Sequence, residues 1–190
     1  MNNGSAAKSG DKTIDVLVLG LGNVLLGDDG PGAAAVARVE RDYCVPPGVR
    51  LADGGTLGLS LLDLLTDSRH VVLVDAVYTE APSGTLVRLD GADVMDAVRD
   101  RLSPHQVGVA DLLDAARLID RYPTEVTLLG LVPDAIDLAV ARSSAVEGGL
   151  DELVLAIVRE VQSLGHEMVH ESKTAGRHRP IHDLTRHFGM

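Results

Sequence analysis

The chain has 190 residues, 45% hydrophobic and only 2% aromatic, with a formal net charge of −11. That length suits one domain with a sizeable core, which Leu, Val, Ile and Ala must fill almost without rings. The acidity and the lack of stacking side chains exclude nucleic acid as a ligand and disfavour anionic lipid.

Residues 1–13 are polar and small, without the apolar core of a secretory signal, and read as a flexible N-terminal segment. The first apolar run, residues 14–19, is far too short to span a bilayer, so a cytoplasmic protein is expected. It is β-branched and nearly all apolar, as a strand buried on both faces should be. A glycine-rich loop follows, from Gly20 to Gly30, and Pro31 suits the first turn of a helix reaching about Tyr43. Cys44 is the only cysteine. It allows neither an intrachain disulfide nor a cysteine-rich metal site, and its place near a helix end makes a poor nucleophile.

Pro46, Pro47 and Gly48 break the chain before a second strand at residues 49–52. A loop from Asp53 to Thr56 then leads to a leucine-rich helix over residues 57–66. Residues 71–74 form the third strand. The connection 78–84 has no room for a crossover helix, so residues 85–89 should return antiparallel to that third strand. A short helix, 92–100, carries the chain back across the sheet. Val109, Leu112, Leu113, Ala116 and Ile119 recur at helical spacing. Residues 126–131 are the fifth strand, and 149–164 the last helix, with Leu150, Leu153, Ile157, Val161 and Leu164 inward. The alternation predicts an α/β three-layer sandwich, in which a twisted, mostly parallel five-stranded sheet with one antiparallel strand carries helices on both faces. The domain spans residues 14–164. Residues 165–190 read as a tail holding His166, His170, His178, His182 and His187.

Ligands of open α/β sheets sit beyond the carboxyl ends of the parallel strands. Three acidic sites occupy such ends: Asp28 and Asp29 after the first strand, Asp53 at the second, Asp75 at the third. One aspartate alone is explained by a turn or a cap. Clustered carboxylates repel unless protonated, hydrogen-bonded or bound to a cation. His105 should join them. The antiparallel strand leads roughly 17 Å out, and the next helix returns roughly 14 Å, so the loop 103–106 emerges on the carboxyl side. A positive helix end there disfavours imidazolium and favours a neutral, ligating histidine. Two carboxylates and an imidazole suit zinc, nickel, manganese or cobalt better than copper(I), and leave positions open for water or substrate.

Two other chemistries fit poorly. The segment Gly20-Leu21-Gly22-Asn23-Val24-Leu25 begins like a dinucleotide fingerprint but has Leu25 where the third glycine belongs, and the acids that follow would repel a pyrophosphate. Ser60, in Gly58-Leu59-Ser60-Leu61-Leu62, lacks the second glycine of a nucleophile elbow.

Taken in order, Gly20-Leu21-Gly22-Asn23 with Asp28-Asp29-Gly30-Pro31-Gly32, then Asp53-Gly54-Gly55-Thr56, Val74-Asp75-Ala76 and Ser103-Pro104-His105-Gln106-Val107-Gly108 resemble the hydrogenase maturation proteases, over about residues 14–164. The resemblance implies a monomeric endopeptidase that removes the C-terminal extension of a nickel-loaded [NiFe]-hydrogenase large-subunit precursor. It implies metal ligands at Asp29, Asp75 and His105, with Asp28 as the neighbouring alternative to Asp29. Asp53 falls on a family acid associated with catalysis or substrate handling. Nickel would arrive with the substrate, and zinc or another divalent ion would fill the site in vitro. Two other readings follow from the residues. One is a nickel-binding chaperone that does not cut, suggested by His166 with His170 and His178 with His182 at i, i+4 spacing. The other is a related peptidase with a different substrate.

Overall fold

The computed structural model describes residues 12–55, 58–99, 104–134 and 141–171, with the side chains of residues 99 and 104–107 outside that set. Strand β1 (Ile14–Leu21) is central, and Val16, Leu17, Val18 and Leu19 are all fully buried, as an apolar run covered on both faces requires. It pairs in parallel with β3 (Val49–Gly55) on one side and β4 (Ser68–Ala76) on the other. Strand β6 (Glu125–Leu131) continues in parallel beside β4, and β5 (Leu86–Asp90) closes the far edge antiparallel to β6. The sheet order is β3-β1-β4-β6-β5.

Alternation along the strands divides the core in two. Val16, Val18, Val72, Val74, Leu129 and Leu131 face α1 (Pro31–Asp42) and α5 (Ser144–Ser163), meeting Val36, Val39, Leu150, Leu153 and Ile157. Leu17, Leu19, Val71, Leu73 and Leu128 face the opposite layer of α2 (Leu62–Thr66), α3 (Ala92–Arg99) and α4 (Pro104–Leu118), meeting Leu65, Val94, Val98, Leu112 and Leu113. Each fully buried leucine contributes about 1.5–3 kcal/mol. The three-layer architecture is the one that strand and helix alternation implies.

The structure departs from the sequence reading at several points. Residues 86–90 do run against β4, but their hydrogen-bonded neighbour is β6, because β6 occupies the side of β4 from His70 to Ala76. The leucine-rich helix splits into a 3₁₀ turn, Gly58–Leu61, and the short α2. Helix α4 stops at Leu118, so Ile119 is exposed instead of inward, and Asp120 turns the chain with φ 56°.

The described chain stays packed past Gly165. Met168 is buried in the α1/α5 layer, and β7 (Val169–His170) pairs antiparallel with β2 (Tyr43–Cys44). His170 is therefore in a strand, its ring edge-on to Tyr43 at 5.0 Å, and forms no helical pair with His166. His178, His182 and His187 lie outside the described residues. At the other terminus Lys12 donates from Nζ to the carbonyls of Ser68 and Tyr122, tying down the end of the segment read as flexible. Partial burial, then the nearby Arg121 and Arg69, hold that ammonium below its usual range. Among the described residues no helix is long and apolar enough to cross a membrane.

Candidate active site

The chain leaves β1 through α1 on one face to reach β3, then returns on the other face to β4, on the far side of β1. The crevice between the carboxyl ends of β1 and β4 is thus the topological switch point of the sheet, where open α/β folds bind ligands. Its close packing depends on missing side chains. A Cβ at Gly32, in the first turn of α1, would lie 2.0 Å from the Val74 carbonyl and 2.6 Å from that of Leu21, so the helix start rests directly on both strand ends.

Asp29 and Asp75 meet at this crevice. Gly22 leaves β1 with φ 98°, and a Cβ there would lie 1.7 Å from the Asp29 carbonyl oxygen and 3.4 Å from Asp75 Oδ1. On the next residue, the Asn23 N–H donates to Asp29 Oδ2 at 2.9 Å. The two acids therefore flank the Gly22–Asn23 dipeptide. Asp75 Oδ1 accepts from the Ala76 N–H at 2.8 Å, and Gly130 of β6 brings its main chain against the Asp75 carbonyl. By strand alternation Asp75 shares the side of Val71 and Leu73, the α4 layer. Asp28, Asp29 and Asp75 are 2%, 1% and 3% exposed, and carboxylates so far from water need bonds of this kind.

Asp28 has another use. Its Oδ1 accepts from the Ser143 N–H at 2.6 Å and its Oδ2 from the Asp134 N–H at 2.9 Å. Ser143 in turn caps α5 through Oγ, which accepts from Val146 N–H. One turn into the helix, Glu147 sits beside Arg142, whose hydrogen bond holds its carboxyl below the usual glutamate range. Asp28 thus spans from the β1 loop to the entry of α5. Sequence could not separate it from Asp29.

Asp53 lies apart. It stands in β3, level with Gly20, and is exposed, with Oδ1 accepting from the Gly55 N–H at 2.9 Å. This is the turn bond that an aspartate before two glycines commonly makes. By alternation it is on the side of Leu51, toward the α1 layer, opposite to Asp75.

His105 is the second residue of α4 and belongs to the helix itself, not to a loop before it. Its imidazole lies outside the described side chains. Its backbone position follows from Gly108, one turn later, where a Cβ would come 3.2 Å from the Gly58 Cα of the 3₁₀ turn after β3. Helix α4 therefore starts at the same lip. Among the described residues no three His, Cys, Asp or Glu side chains form a group able to hold an ion.

Gly22, Asn23 and Gly32, which the sequence offered only as parts of motifs and not as site residues, shape the crevice without supplying a reactive group. Their signal was present in the glycine-rich loop, where Asn beside a positive-φ glycine marks a built turn. The buried acids of the 3₁₀ turn Gly27–Asp29 immediately precede α1, where a dinucleotide's pyrophosphate would lie. Ser60 sits in the exposed part of its 3₁₀ turn, and Cys44 is exposed on β2 with Glu171 Oε1 at 3.9 Å.

Comparison with known proteins gives a consistent result. The family model described as hydrogenase maturation protease matches residues 34–160. The hydrogenase 2 maturation protease of Escherichia coli strain K12 is 35% identical over 163 residues, which cover 82% of this chain and 99% of that protein. The hydrogenase expression/formation protein HupD of Rhodobacter capsulatus is 37% identical over 155 residues, covering 80% and 74%. Among solved structures, the hydrogenase maturating endopeptidase HybD from E. coli superimposes with a TM-score of 0.81 at 31% identity, over 84% of this chain and 99% of that one.

Proposed function

The chain belongs to the hydrogenase maturation protease family, a family of endopeptidases acting on hydrogenase precursors, and we propose that its reaction is removal of the C-terminal extension from a nickel-loaded [NiFe]-hydrogenase large subunit. The ion is the substrate's own nickel, gripped by Asp29, Asp75 and His105. Support comes from one observation above the rest: two almost fully buried carboxylates flank Gly22–Asn23 at the switch point, each held by a main-chain N–H.

The donor set fits a divalent ion. Carboxylate oxygens with one imidazole nitrogen suit nickel, and zinc or a similar ion in vitro, and three protein ligands leave coordination positions for the substrate. The desolvated crevice strengthens any charge interaction made within it. Nickel bound there supplies polarisation of the scissile carbonyl or an activated water. Asp53, exposed and one strand beyond β1, handles the peptide or a proton as it arrives and leaves. The enzyme acts as a cytoplasmic monomer. The reading as a non-cutting nickel carrier loses one of its two histidine pairs, because His170 is held in β7.

The decisive assay incubates the protein with purified precursor, loaded with nickel or free of it, and follows the large subunit by mass spectrometry. The expected result is a C-terminal mass loss in the loaded sample alone. Equal trimming of the nickel-free precursor would overturn recognition through nickel.

A further inference from the structure

Eight large hydrophobic side chains are exposed among the described residues, and four of them stand on the lip that carries the acids. Leu59 lies in the 3₁₀ turn after β3, Val24 and Leu25 in the loop after β1, and Tyr78 just after β4. They are 56%, 52%, 62% and 53% exposed. These three strands are consecutive in the sheet.

The central pair is presented by a constructed turn. The Leu25 N–H donates to Asn23 Oδ1 at 3.0 Å, and the Leu26 N–H donates to the Asn23 carbonyl at 2.9 Å. Gly30 leaves room for the Val24 main chain, since a Cβ there would lie 2.8 Å from the Val24 Cα. The same Asn23 donates its own N–H to Asp29. Turns favour Gly, Pro, Asn, Asp and Ser, and two adjacent exposed aliphatic residues in so ordered a turn cost solubility without contributing to the core.

We propose that this apolar collar is the docking site for the precursor's C-terminal segment, bound extended across the lip with its apolar side chains against Leu59, Val24 with Leu25, and Tyr78. The assignment rests on the endopeptidase reading above and specifies which part of the substrate the lip holds. Adjacent strands are roughly 4.8 Å apart, so the three strand ends beneath the collar span about 10 Å, a distance that roughly three to four residues of an extended peptide cover at about 3.3 Å each. The scissile bond then passes over the β1–β4 crevice. A lipid surface is a poor occupant, because the exposed acids Asp53 and Glu80 border the collar and the chain carries a net charge of −11.

The test compares steady-state processing of nickel-loaded precursor by the full-length protein and by Leu25→Ser, Leu59→Ser and their double variant. Both side chains are exposed, so folding is retained, which thermal melting verifies. Leu118→Ser, at the opposite end of α4, is the control. The expected result is a KM raised on the order of tenfold by each collar change and further by the double variant, with kcat within about twofold and the control at wild-type values. Unchanged KM in the double variant, or an equal rise with Leu118→Ser, overturns the collar while wild-type cleavage leaves the endopeptidase reading standing. Failure of the wild-type protein to cut the precursor overturns that reading, and the collar's assigned occupant with it.

Discussion

At the centre of the lip Asp28, Asp29 and Asp75 are buried and bonded to main-chain N–H groups, whereas at its flank, two strands from Asp75, Asp53 stands in solvent and accepts from the Gly55 N–H of its own turn. A carboxylate withdrawn from water must be compensated by fixed donors, and those donors fix its oxygens in return. An exposed one held by a single turn bond is far less fixed. The centre is therefore suited to gripping something of defined geometry, and the flank to meeting something that moves. The centre itself divides, since Asp28 spends both oxygens on segments far along the chain while Asp29 and Asp75 border the crevice.

The largest expected effect tests the gripping role. Asp75→Asn and His105→Ala should each slow precursor processing at least about a thousandfold, or roughly 4 kcal/mol of transition-state stabilisation, with melting temperatures within a few degrees of wild type. Near-normal processing by both would erase the functional side of the contrast. Next comes Asp28→Ala, which strands two main-chain N–H groups and should cost about 3 kcal/mol in urea unfolding, while the fraction that stays folded still cuts within a few fold of wild type. Loss of cutting without loss of stability would move Asp28 into the reactive set. The smallest effect belongs to Asp53→Asn: about a tenfold fall in kcat, near 1.4 kcal/mol, with stability within about 0.5 kcal/mol. A stability loss matching that of Asp28→Ala would show that flank and centre are held alike.

How much of this was legible beforehand depended on how local the determining contacts are. β1 could be read from its own apolar run, and the position of its acids from the topology that alternation implies. Gly22 and Asn23 act within a few residues and left a local signature. The neighbour of β5 did not, because a strand's residues show its burial but not which edge is still open when it arrives. Two-residue strands such as β2 and β7 carry no period at all, so the ribbon they form was invisible. Asp28 and Asp29 are the sharpest case: identical neighbours in sequence, separated in role by partners 106 and 115 residues away from Asp28. Asp53 was legible in both directions, as a lip acid and as a turn former, and the structure realises the turn.

The glycine at position 32 carries a burden out of proportion to its size. A methyl there would sit 2.0 Å from the Val74 oxygen, well inside contact distance, and α1 would have to rise by roughly an ångström or more. Pro31 and the acids just ahead of it ride on that helix start, while Asp75 belongs to the strand beneath. The spacing between Asp29 and Asp75 is thus set from underneath by a single hydrogen atom, and it should widen if that atom becomes a carbon.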